Sequence, residues 1–201
     1  DWSWSALITD FDNDGHKDLF VANGLAKDIH DQDYLNFISD EEIKKTIVNK
    51  NGIDYNKLVE LVPVNRISNC VYAGDSNLGF KDVANLWGLD TPSHSSGSAY
   101  GDLDNDGDLD LIVNNINMPP FIYNNKSTEL LEENNYLKVK LKGEKNNINA
   151  IGTKVTVKSA EQIFYLEQSP NRGFQSTVDN IMHFGLGEIS SIDSLIVEWY
   201  Y

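Results

Sequence analysis

Two acidic loops contain the residues of this chain whose types and spacing could do chemistry. The loops read DFDNDGHKD and DLDNDGDLD, with carboxylates at the first, third, fifth and ninth positions of each: Asp10, Asp12, Asp14 and Asp18, then Asp102, Asp104, Asp106 and Asp110. Four carboxylates in one small volume repel one another unless a cation lies between them. A hard cation with roughly six to eight oxygen ligands meets this need, which favours calcium over magnesium with its tighter octahedron.

The sixth position of each loop is a glycine, Gly15 or Gly107. Glycine permits a sharp turn, so that the backbone carbonyl of the next residue, His16 or Asp108, can point inward. The spacing therefore predicts one calcium site in each loop. The alternative that remains open is a pair of metal-free turns, because Asp, Asn and Gly all favour turns.

Neither loop is an EF-hand, which needs a glutamate at its twelfth position and helices on both sides. The twelfth position here is Val21 or Val113, in strand-like sequence. A dockerin-type pair of loops is disfavoured for the same reason, since no helix pattern follows either loop. The ninth residue must therefore close each site, and the predicted arrangement is strand, loop, strand.

The loops belong to an internal repeat, in which the sequence from Trp2 to Gly24 resembles the sequence from His94 to Ile116. A short apolar run leads into each loop and a β-branched or aromatic run leaves it, which predicts two strands around each loop. Between the copies, residues 25–66 have apolar residues at helical spacing, so we predict a helical insertion there. The strand-like sequence from Cys70 predicts a hairpin, which we assign to the second repeat.

A second module is predicted near the C-terminus. The stretches YLKVKLKG and TKVTVKS alternate apolar and polar residues, as half-exposed antiparallel strands do. The predicted fold is thus mainly β, with a first domain at residues 1–126 that includes the 25–66 insertion, and a small antiparallel β-domain at residues 135–201.

Composition excludes several classes of function. The 201 residues include 31 acidic and 16 basic side chains, which gives a formal charge of -15 and makes nucleic acid an unfavourable partner. No apolar run is long enough to span a membrane.

No serine nucleophile motif, phosphate-binding loop or zinc protease signature is present, so we predict that the chain is not an enzyme. The first residues resemble a strand rather than a signal peptide, so we expect a longer protein.

The acidic loops resemble the FG-GAP or VCBS repeat of integrin alpha-subunit propellers and bacterial secreted proteins. The resemblance implies a β-propeller in which each loop binds calcium through its four aspartates and the seventh carbonyl. It nominates Asp10, Asp12, Asp14, His16 and Asp18 for one site and Asp102, Asp104, Asp106, Asp108 and Asp110 for the other. A propeller closes with roughly four to eight blades. This chain accounts for about two, so we expect further blades upstream.

The C-terminal module resembles the ASPIC/UnbV domain, which follows such repeats in cartilage acidic protein and its bacterial relatives. The matching segments are NAIGTKV, RGFQS, HFGLG and DSLIVEW. Together the resemblances imply a secreted or cell-surface adhesion module with structural calcium and a protein or glycan ligand. The alternatives are the accessory or C-terminal part of a secreted carbohydrate-active or other hydrolytic enzyme, and a calcium-responsive switch.

Overall fold

The computed structural model describes residues 2–49, 52–53 and 55–200, and the fold is mainly antiparallel β with a few short helices, as predicted. The strands are β1 Ser3–Thr9, β2 Asp18–Asn23, β3 Val48–Asn49, β4 Gly52–Ile53, β5 Cys70–Gly74, β6 Phe80–Asp82, β7 Ser95–Gly101, β8 Asp110–Asn115, β9 Phe121–Tyr123, β10 Asn135–Lys140, β11 Lys154–Ser159, β12 Gln162–Glu167, β13 Ile181–Gly187 and β14 Ser194–Glu198. The helices are α1 Gln32–Ser39, α2 Glu41–Ile47, α3 Tyr55–Leu61 and α4 Ser127–Leu130.

Each acidic loop joins two neighbouring antiparallel strands. The first loop connects β1 to β2 in a four-stranded sheet with the order β1-β2-β5-β6, and the second connects β7 to β8 in a three-stranded sheet with the order β7-β8-β9. The loops start at equivalent points, because Thr9 pairs with Asp18 and Gly101 pairs with Asp110. The repeat in sequence is therefore a repeat in structure.

The prediction that the hairpin after Cys70 belongs to the second repeat is wrong. Strand β5 pairs with β2, with Cys70 opposite Val21, and so completes the first sheet. Residues 25–66 contain α1, α2, α3 and the small β3–β4 hairpin. An isolated bridge joins Leu25 to Asn65, so this segment leaves and returns at one place, and the chain re-enters the sheet that it left.

The first hydrophobic core lies between the two sheets that carry the loops. It forms because alternate residues of β2 and β8 are apolar and point to the same side of each sheet. Its fully or nearly buried side chains include Leu7, Phe20, Val71, Leu111 and Val113. This packing holds the two loops side by side at one end of the sheets.

A second core lies among the C-terminal strands. Strands β10 and β13 form a two-stranded ribbon, and β12, β11 and β14 form a separate sheet. One face of the ribbon packs into this core through Leu137, Val139, Met182, Phe184 and Leu186. Because side chains alternate along a strand, the other face of the ribbon presents a different set of residues, namely Tyr136, Lys138, His183 and Gly185.

None of the helices in the described part of the chain is long and apolar enough to cross a membrane.

Candidate metal centre

The two acidic loops adopt the same backbone turn. The fourth residue has a left-handed conformation in both, with φ of 60° at Asn13 and 64° at Asn105. The sixth residue follows with φ of 92° at Gly15 and 99° at Gly107. Asparagine and glycine are the residues that tolerate this region best, so the shared Asn-Asp-Gly sequence determines the shared turn.

Each loop gathers three carboxylates closely enough to share an ion. Ligand oxygens lie within 4.8 Å of one another in two groups, Asp10 with Asp12 and Asp18, and Asp102 with Asp104 and Asp106. Asp14 and Asp110 lie outside these groups among the described residues. A calcium site of this kind would draw its further ligands from the other predicted oxygens or from water.

Backbone amides shape the loops from within. Asp10 Oδ2 accepts from the Gly15 amide at 2.9 Å, and Asp102 Oδ2 accepts from the Gly107 amide at 3.2 Å. Asp14 Oδ1 accepts from the His16 amide at 2.7 Å. These bonds close the turn around the first-position carboxylate.

The ninth-position aspartates tie the loops to their surroundings with both oxygens. Asp18 accepts from the amides of Phe11 at 2.7 Å and Gly74 at 3.0 Å. Asp110 accepts from the amides of Leu103 at 2.9 Å and Asn125 at 2.9 Å. These two carboxylates are 0% and 2% exposed, so each stabilises the loop independently of its predicted part in metal binding.

Seventh-position residues differ between the loops. His16 is half-buried, whereas Asp108 is fully buried. Asp108 Oδ2 accepts from the Thr128 amide at 3.2 Å and the Thr128 hydroxyl at 2.9 Å. Asp108 Oδ2 therefore fastens α4 to the second loop, whereas Asp108 Oδ1 is buried without a hydrogen-bond partner.

Without a cation, the buried carboxylates of the two loops are electrostatically unfavourable. Burial, together with repulsion from the neighbouring aspartates, raises the pKa of Asp10 to about 8, although Lys17 acts against it. Burial raises the pKa of Asp18 to about 7 and that of Asp106 to about 6. In addition, Asp10 Oδ1 and Asp102 Oδ1 are buried without a hydrogen-bond partner. Both facts fit a cation held by carboxylate oxygens, because such a cation would neutralise the charges and occupy the free lone pairs.

The outer face of the ribbon lies across both loops. The Tyr136 ring packs directly on Gly107, where even one added carbon would overlap it. Lys138 Nζ lies 2.5 Å from Asp102 Oδ2. On the other strand, His183 Nε2 lies 2.7 Å from Asn13 Oδ1, and Gly185 lies against Asp10. Tyr136 and Lys138 thus cover the second loop, while the two residues of β13 cover the first.

Part of the C-terminal module, including β13 but not β10, matches a known family. Residues 143–200 match the family model described as ASPIC and UnbV. No curated protein matches the chain. The ASPIC/UnbV match includes strands β11 to β14, and therefore both residues that cover the first loop, His183 and Gly185.

Asn13 of the first loop contacts both the second loop and the ASPIC/UnbV region. Its side-chain amide donates to the Gly107 carbonyl at 3.1 Å, and its backbone carbonyl accepts from the Gly187 amide at 2.9 Å. An amide oxygen only accepts, so His183 donates to Asn13 from Nε2. Burial lowers the pKa of His183 to about 4, which keeps the imidazole neutral in this contact.

Asn13→Ala is expected to lower the free energy of unfolding by about 2 to 3 kcal/mol more than Asn105→Ala, because only Asn13 loses buried hydrogen-bond partners. Asn105 is a matched control, since it has the same loop position and left-handed φ but is exposed. Urea unfolding of both variants measures the difference. Equal losses would show that the Asn13 bridge adds nothing beyond the backbone turn.

Sequence reasoning missed Asn13, Lys138 and His183 as parts of this region. In the sequence, asparagine at the fourth position of both loops indicates only a turn, and His183 stands out only as part of the HFGLG segment. The signal for Asn13 is its identity in both repeats, but nothing local marks Lys138 or His183, whose partners lie far away in the chain. The structure thus extends the site from the two loops to the ribbon.

Proposed function

We propose that this chain is a non-enzymatic, calcium-binding module of a secreted or cell-surface protein, in which calcium stabilises two FG-GAP/VCBS-type blades of a β-propeller. The observation that carries the proposal is the duplicated carboxylate cluster with a buried, unpartnered oxygen at its first position, Asp10 Oδ1 or Asp102 Oδ1. Residues Asp10, Asp12 and Asp18 would hold one ion and Asp102, Asp104 and Asp106 the other. Calcium would supply a charge that neutralises the loops.

Two further features support a propeller. The loop-bearing sheets pack face to face and repeat the same strand–loop–strand order, as successive blades do. Each sheet also leaves apolar residues on its outer side, with Ile8 58% and Ile122 68% exposed. In a propeller, neighbouring blades would cover such apolar outer faces.

Binding, rather than catalysis, is the proposed role because the loop carboxylates are already engaged by the turns that they hold. Asp10, Asp14 and Asp18 each accept from a backbone amide of the first loop. A general base or nucleophile must reach a substrate, whereas the oxygen of Asp10 that has no partner, Oδ1, is buried. The proposed ligand of the module is a protein or a glycan outside the cell, where millimolar calcium keeps even weak sites filled.

Calcium is expected to raise the melting temperature of the chain by roughly 5 to 10 °C per site when present at about 100 times its dissociation constant, because it binds only the folded loops. Asp12→Asn and Asp104→Asn should each remove part of this rise. Asp33→Asn is the control, since Asp33 is an exposed carboxylate on α1 outside the loops. Thermal unfolding with calcium and with a chelator measures the effect. A melting temperature that is the same in both conditions would overturn the proposal.

A further inference from the structure

We propose that the two loops are unequal cation sites, because Lys138 places a built-in ammonium on the second loop and weakens its binding of a divalent cation. This inference rests on the proposed calcium function and deepens it. The first loop would be the tighter site, and the second a site in which the protein supplies part of the positive charge itself.

The ion pair that carries this inference sits at the first position of the second loop. Lys138 Nζ lies 2.5 Å from Asp102 Oδ2, and the two side chains are 28% and 6% exposed. The same oxygen accepts from the Gly107 amide, while Asp102 Oδ1 is buried without a partner. A divalent cation that binds Asp102 must therefore share the carboxylate with an ammonium group that repels it.

The first loop has no matching ion pair among the described residues. Its first-position aspartate, Asp10, faces Gly185 of the ribbon, which has no side chain to offer. Lys17 influences Asp10 through space without forming an ion pair with it. The Asp10 carboxylate, 1% exposed and with one oxygen unpartnered, is therefore left for a cation from solution.

The asymmetry follows from the register of the ribbon. Lys138 on β10 lies directly opposite His183 on β13, so one cross-strand pair reaches both loops. Lys138, the cation of the pair, contacts the Asp102 carboxylate of the second loop, whereas the neutral His183 contacts the Asn13 amide of the first. Two loops with the same aspartate spacing thus meet different charges, which the repeat by itself does not reveal.

Removing the ammonium tests the inference. Calcium titration calorimetry of the whole chain is expected to resolve one tight and one weak site, and Lys138→Met should tighten the weak site about tenfold or more. Lys138→Arg keeps the cation and should keep the weak site weak. Lys140→Met is the matched control, because Lys140 is an exposed lysine of the same strand and the substitution makes the same change in net charge.

The outcomes separate the two proposals. If the chain binds two calcium ions and Lys138→Met changes the affinity of neither site, this inference is overturned and the calcium function still stands. Equal tightening in the Lys140→Met variant would also overturn it, since the effect would then come from overall charge. Absence of calcium binding in the unsubstituted chain would overturn the proposed function together with the inference. Circular dichroism of each variant identifies any loss of folding, and Lys138→Gln then replaces Lys138→Met.

Discussion

Gly185→Ala is expected to lower the free energy of unfolding by about 3 kcal/mol, the upper end of the usual cost of overpacking, because the contact is so close. A methyl group at this position would overlap Asp10 Oδ2 and lie 2.8 Å from the Asn13 Cα. Neither neighbour can move freely, because both belong to the turn of the first loop. The ribbon must therefore lift from the loop or the loop must open, and urea unfolding measures the cost.

Gly101→Ala is the matched control for this substitution. Gly101 is likewise a buried glycine of a strand, the last residue of β7, but an added carbon there would meet its nearest neighbour, Asp179 Cβ, at an ordinary 3.6 Å. We expect a loss below about 1 kcal/mol for it. If both alanine variants unfold at the same urea concentration, close contact between the ribbon and the first loop does not contribute to stability.

Asp110→Ala is expected to lower the free energy of unfolding by about 3 kcal/mol, whether or not calcium is present. The substitution leaves the partly buried amides of Leu103 and Asn125 without their acceptor, and each loss lies toward the lower end of the roughly 1 to 3 kcal/mol that a buried unsatisfied donor costs. Because these bonds lie within the protein, the loss should persist in a chelator. Urea unfolding with and without calcium measures both values.

Asp104→Ala is the comparison within the same loop. Asp104 is exposed, and its side chain accepts from the Asn124 amide at 2.8 Å rather than from a buried backbone group. Its removal should therefore cost stability mainly when calcium is present. An Asp110→Ala loss that disappears in the chelator would show that this carboxylate acts through the metal alone.

Local features of the fold could be predicted from the sequence. The carboxylate spacing and the flanking apolar runs predict a loop between two strands, and β1 with β2 and β7 with β8 have this form. The turn depends on residues within a few positions of one another, such as Asn13 and Gly15, so short-range sequence contains the information. The alternation in the last third predicts antiparallel strands for the same reason.

Contacts between distant segments could not be predicted in this way. The pairing of β5 with β2 spans the 25–66 segment, and the hairpin sequence itself is compatible with either sheet. The ribbon presents Lys138 and His183 to the loops because of its register and its packing on the second core. The residues around these two positions determine neither the register nor the packing, so the extended site is visible only in the three-dimensional structure.

The sequence separation of 170 residues between Asn13 and His183 also affects the order in which the molecule assembles. Contacts between residues so far apart carry a large entropic cost of chain closure and form late in folding. In a chain made from its N-terminus, both acidic loops leave the ribosome before β13 exists to cover them. Until then Asn13 lacks both donors that β13 supplies, the Gly187 amide and the His183 imidazole. The first loop therefore completes its hydrogen bonding only after the C-terminal strands have been made.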